Sequence, residues 1–124
     1  MSAFPAYYIL LNRLPVAVDL MTWAEWFANF DNRKIADDQI NETTSVSTVF
    51  LGLDHSFSPG ADPLLFETMV FGGPLNYTTR RYATYTEAER GHAEAVAEAR
   101  IAAAKVKAIA DAAGANKFSR DTHR

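Results

Sequence analysis

Cysteine is absent from the 124 residues, which excludes disulfides, a thiol nucleophile and any cysteine-bearing zinc site. Stability must therefore come from packing, with contacts between chains as a further source. The sequence also lacks an apolar run near the roughly 18 residues that a membrane-spanning helix needs. Its start lacks the basic, apolar, small-residue order of a signal peptide, so a soluble, intracellular protein is expected. Charge of one sign is scarce too: 15 acidic and 12 basic side chains leave a net −3, and nucleic-acid binding driven by bulk charge is unlikely. There is no GxGxxG, Walker A or helix-turn-helix pattern.

What is present fits one core. The 48% hydrophobic and 22% charged content is that of an ordinary globular domain. Residues 1–62 carry a net −5 and residues 63–124 a net +2. Residues 6–11 and 16–18 are short apolar runs on either side of Asn12 and Arg13, which reads as a hairpin. Thr22 and Glu25 have capping-box spacing, and Met21 and Trp26 stand at the positions of a hydrophobic staple, so a helix is expected to begin at Thr22. Trp23, Trp26, Phe27 and Phe30 then give an aromatic stripe to lay on a sheet, ending near Asp31 and Asn32.

Residues 33–40 mix Ile35 and Ile40 with charges, as an exposed edge strand would. Residues 43–53 and 64–71 favour strand and flank a loop of Ser, Pro, Gly and Asp, making a central hairpin; residues 77–85 add a third antiparallel strand after the Gly72, Gly73, Pro74 turn. Thr86 and Glu89 repeat the capping-box pattern and open a helix in which 13 of 28 residues from 88 to 115 are alanine. It is expected to run about 25 residues and to stop at Gly114. Val96, Ile101, Val106 and Ile109 do not share one narrow face of it, which hints at contact with a second chain. The expected architecture is α+β: an antiparallel sheet of four to six strands, an aromatic-rich helix packed on it, and a long Ala-rich C-terminal helix. Residues 1–86 form the sheet domain, 87–114 the helix as part of that domain or as an oligomerisation element, and 115–124 a flexible tail.

The segments VSTVFLGLDHSF (46–57) and PLLFETMVFGG (63–73), with TWAEWF (22–27) and TYTEAERGH (84–92), resemble a family of small phage and prophage proteins of unknown function. The resemblance covers residues 7–92. It implies a phage-encoded protein acting in the host bacterial cytoplasm and brings no catalytic residues.

Candidate chemistry is sparse. Asp54 and His55 end one strand of the central hairpin and Glu67 lies on the other, but a pairing sum near 118 sets Leu51 across from Glu67 and His55 about 13 Å up the ladder. An enzyme built on these three ranks third, and Asp54 and His55 read more simply as loop-capping residues. Glu67 sits among apolar neighbours and needs a cation. Arg80 or Arg81 on the next strand supplies it, and alternation allows one of them to share its face. The pair is either structural or a ligand-facing fork for a phosphate or carboxylate. Trp23, Trp26, Tyr82 and Tyr85 with Arg80 and Arg81 could form a nucleotide pocket, or the aromatics could fill a core.

The leading expectation is a non-catalytic phage accessory protein that binds a host or phage protein and thereby counteracts a defence or host process. A small-molecule binder, such as one sequestering a nucleotide signal, and a virion-associated structural protein are the alternatives. No catalytic residue, metal or cofactor is expected, nor a membrane partner. A homodimer is.

Overall fold

The computed structural model describes residues 6–54, 56 and 60–122, with side chains as far as Gly114. Strands β1 (Tyr7–Leu11) and β2 (Leu14–Val18) form the expected hairpin, turned by Asn12 and Arg13 at φ of 50° and 68°. Helix α1 (Leu20–Phe27) and a single turn, α2 (Phe30–Arg33), lead into β3 (Lys34–Gln39). Strands β4 (Ser45–Phe50), β5 (Phe66–Phe71) and β6 (Thr79–Tyr82) follow, and α3 (Tyr85–Thr122) closes the chain. The fold is α+β. Two antiparallel sheets are present, β1-β2 and β3-β4-β5-β6.

One face of the larger sheet carries the core. Val46, Phe50, Phe66 and Val70 alternate inward from β4 and β5 and meet Ala88, Ala95 and Ala99 of α3. Alanine at these positions lets the helix lie close to the strands. Each buried apolar side chain of the Val or Phe class contributes about 1.5–3 kcal/mol. The hairpin and α1 complete the core at one end, where Tyr8, Leu10 and Trp26 pack on the Phe50–Phe66 cluster and the Trp26 ring meets Phe50 edge-on at 5.6 Å. The sheet's other face carries Val49, Glu67, Met69 and Arg81, and among the described residues no helix is seen to pack on it.

Several local expectations are corrected. Asp19, not Thr22, caps α1: its carboxylate accepts from the Thr22 N–H at 2.7 Å, and that bond holds its pKa below the ordinary value. The staple is absent, because Met21 is 77% exposed. The aromatic helix ends at Phe27, and Phe30 belongs to the separate turn that follows. The cap of α3 is Thr84, which accepts from the Glu87 N–H and donates to the Glu87 carboxylate, two residues before the expected box. Tyr77 and Tyr85 fall outside β6, Tyr77 at φ 66° and Tyr85 in the first turn of α3. Gly114 does not stop α3, which runs on to Thr122. The β4–β5 register pairs Val49, not Leu51, with Glu67. Shifting by two residues keeps every side chain on its expected face.

Gly72 holds the β5–β6 turn. At φ 86° it takes a left-handed conformation, and a Cβ there would lie 1.8 Å from the Thr43 carbonyl oxygen. The adjacent Gly72 N–H donates to Asn76 Oδ1 at 2.7 Å.

Candidate functional site

The most organised polar cluster lies where the sheet meets α3, and residues from four elements build it. Thr48 on β4 and Thr68 on β5 are direct cross-strand partners, 0% and 1% exposed, with their hydroxyl oxygens 2.5 Å apart. His92, one helical turn after Ala88 on α3, brings Nδ1 to 2.7 Å from Thr48 Oγ1. Its Nε2 lies 2.7 Å from Asp38 Oδ2 on β3. His92 is 6% exposed, whereas about half of the Asp38 side chain reaches water.

Hydrogen-bond accounting orders this chain. A carboxylate only accepts, so His92 Nε2 carries a proton and donates it to Asp38. Nδ1, the Thr48 hydroxyl and the Thr68 hydroxyl continue the chain, each within hydrogen-bond distance of the next. The three buried side chains, Thr48, Thr68 and His92, all find partners within this chain of four, as buried polar groups require. The order of partners, carboxylate to imidazole to hydroxyl, is that of a nucleophilic triad, but Thr48 is wholly inaccessible to a substrate. The chain pins α3 to three strands at fixed register.

Beside Thr68 a small cavity of about 70 Å³ opens between β5, β6 and α3, bounded by Val70, Leu75 and Thr78, with Arg80 and Glu98 among its lining residues. Arg80 donates to the Glu98 carboxylate, and this bond holds the guanidinium's pKa above its ordinary value. Two larger cavities, about 210 and 350 Å³, flank the tip of the β1-β2 hairpin and share Pro15, Ala83 and Thr84. Tyr8 and Leu65 lie in the larger one, and Arg13, whose guanidinium stands 5.1 Å from the centre of the Tyr85 ring, lies in the smaller.

The residues singled out from the sequence do not gather at one place. Glu67 and Arg81 are register partners, and Arg81 Nε donates to Glu67 Oε2 at 3.0 Å on the sheet face away from α3. Arg80 points to the opposite face and pairs with Glu98. Trp26 packs on Phe50, and Trp23 stacks on Phe27 at 4.5 Å and lies near Tyr7, its indole N–H buried against Gly52 without an acceptor. Tyr82 packs on α3 at Gly91, with its hydroxyl likewise buried and unpaired. Asp54 organises its loop by accepting from the N–H groups of Ser56 and Leu64, each at 2.9 Å. His55 lies outside the described residues. Among the described residues no group of three or more His, Asp or Glu is placed to hold a metal, and no helix is long and apolar enough to cross a membrane.

Sequence reasoning missed Asp38, Thr48, Thr68 and His92 as a unit. The signal was there in part: Gly91 and His92 interrupt an alanine-rich helix, and Thr48 and Thr68 each stand at an inward position of a strand whose other inward residues are apolar. No protein-family model, curated protein or solved structure matches the chain.

Proposed function

We propose that the chain is a non-catalytic phage accessory protein that acts in the bacterial cytoplasm by binding a host or phage protein, counteracting a defence or another host process. The phage setting rests on the resemblance of residues 7–92. The binding role rests on one observation. Leu11 and Leu14 face each other across the hairpin turn, 53% and 66% exposed, beside the two cavities that share Pro15, Ala83 and Thr84. Large apolar side chains kept in water at a turn, next to a concave surface, are the elements from which protein interfaces are made.

This tip is the surface assigned to the partner. A photoreactive amino acid at Leu14, in protein expressed in a bacterial host with and without phage, should form an adduct with one defined protein. Leu14→Asp should reduce recovery of that protein by tenfold or more, while the far-ultraviolet circular dichroism stays unchanged. Absence of any adduct with another protein in both settings would overturn the reading.

A further inference from the structure

Thr48, Thr68 and Arg80 are successive register partners, one row across β4, β5 and β6, and all three point toward α3. The hydrogen-bond chain that begins at Asp38 and His92 follows this row as far as Thr68, which also lines the small cavity between β5, β6 and α3. Arg80 and Glu98, paired with each other, stand in the wall of the same cavity. Three polar side chains therefore converge there.

The proton count of the chain decides what that cavity has to hold. When His92 Nδ1 lacks a proton, Thr48 donates to it and Thr68 donates to Thr48, so the Thr68 oxygen has only lone pairs left to offer. When Nδ1 carries a proton, it donates to Thr48 and Thr48 donates to Thr68, and the Thr68 proton is left over. Thr68 is buried, so that proton needs an acceptor in the cavity. An occupant suited to both forms accepts from Thr68 in one and donates to it in the other.

Water does both. An anion only accepts, and it would meet the Glu98 carboxylate, which already has the Arg80 charge. An apolar guest would leave Thr68, Arg80 and Glu98 facing it without a hydrogen bond. Size agrees: one water needs about 10–15 Å³ of such space, so about 70 Å³ holds several. Arg80 spends Nη2 on Glu98 and has further N–H groups in its five-donor fork, while the carboxylate keeps accepting capacity. With Thr68 these supply the two to four partners that a held water requires.

We propose that this cavity is a site for ordered water that bridges the Thr68 hydroxyl to Arg80 and Glu98. One hydrogen-bonded path then crosses the interface between the larger sheet and α3, from Asp38 on β3 through His92, Thr48 and Thr68 to the Arg80–Glu98 pair. The site shares no lining residue with the two cavities at the hairpin tip and is independent of any partner bound there.

Nuclear magnetic resonance on the full chain reads the occupant directly. Water in the cavity should give cross-peaks to the methyl groups of Thr68, Val70 and Ala95, with the opposite laboratory-frame and rotating-frame signs that mark a held water. Thr68→Val removes the inner partner at nearly constant shape and should reduce the peaks at Val70 and Ala95 severalfold, whereas Thr68→Ser keeps the hydroxyl and should retain them. Glu98→Ala changes a half-exposed side chain, so it should fold as before and weaken the same peaks by removing the outer partner. Xenon, which enters dry apolar cavities, should leave the Val70 and Ala95 methyl shifts unmoved, and excess sodium formate should leave the water peaks in place. Absence of held water beside Val70 and Ala95, peaks indifferent to both Thr68→Val and Glu98→Ala, methyl shifts on xenon addition, or displacement of the water by formate would each overturn the proposal.

Discussion

Thr48 and His92 meet across the β4–α3 interface, Oγ1 2.7 Å from Nδ1, with the threonine fully out of water and the histidine 6% exposed. Thr48→Val preserves shape but leaves both the imidazole Nδ1 and the Thr68 hydroxyl without their hydrogen-bond partner. An orphaned buried group costs about 1–3 kcal/mol, so the variant should unfold that much more easily in urea. Adding Thr68→Val removes the second orphan, and the double variant should cost less than the two single losses added together, by about 1 kcal/mol. Strict additivity would show that the hydroxyls act independently.

Gly91 and Gly114 lie in one helix and should respond in opposite senses to alanine. A Cβ at Gly91 would fall 2.0 Å from the Tyr82 hydroxyl oxygen, whereas nothing lies within 4 Å of one at Gly114. The intrinsic gain of about 1 kcal/mol from Gly to Ala applies to both sites. At Gly91 overpacking of about 1–3 kcal/mol opposes it, so that variant should lose stability in chemical denaturation. Gly114→Ala should slow amide exchange within the end of α3 without moving the global transition. Tyr82→Phe deletes a buried hydroxyl that has no partner and should be neutral or stabilising.

Patterns that repeat along the chain were legible, and pairings set by tertiary contact were not. Alternation allowed one of Arg80 and Arg81 to share a face with Glu67 without saying which, and the β5–β6 register puts Arg81 there. The two-residue error in register arose because the connection from Phe50 to Phe66 is centred one residue earlier than the Ser- and Pro-rich stretch that composition marked as the loop. Both helix starts were expected too late, α1 by three residues and α3 by two. Asp19 and Thr84 outcompete Thr22 and Thr86 because an N-cap is chosen by where the preceding strand releases the backbone, and β2 and β6 end at Val18 and Tyr82. The Asp38, Thr48, Thr68 and His92 chain was illegible for a different reason. Thr is an ordinary strand residue, and only the docking of α3 brings His92 between β3 and β4.

Glu67 and Arg81 form a pair on the uncovered sheet face, with the carboxylate side chain 15% and the guanidinium side chain 39% exposed. Water and salt screen such a contact, and exposed pairs contribute about 0–1 kcal/mol. Glu67→Gln should therefore shift the urea midpoint only slightly, and the shift should shrink further in 0.5 M salt. A loss of several kcal/mol would show that the pair is desolvated by something covering that face in solution.

Acid should expose the role of Asp19. Its carboxylate accepts from the Thr22 N–H at 2.7 Å, and this bond holds its pKa below the ordinary 3.8. A depressed carboxylate stabilises the fold where it is ionised in both states, above its unfolded pKa; that stabilisation disappears as pH falls through the lower folded value. The cap should therefore be intact at pH 6 and lost progressively below about pH 4. Asn also caps helices well but does not titrate, so Asp19→Asn should match the parent at pH 6 and lose less thermal stability on acidification. Asp19→Ala should be less stable than both at pH 6 and should converge with the parent at low pH. If parent and Asp19→Asn fall in parallel through that range, acid sensitivity resides in other carboxylates and the Asp19 cap contributes nothing measurable to it.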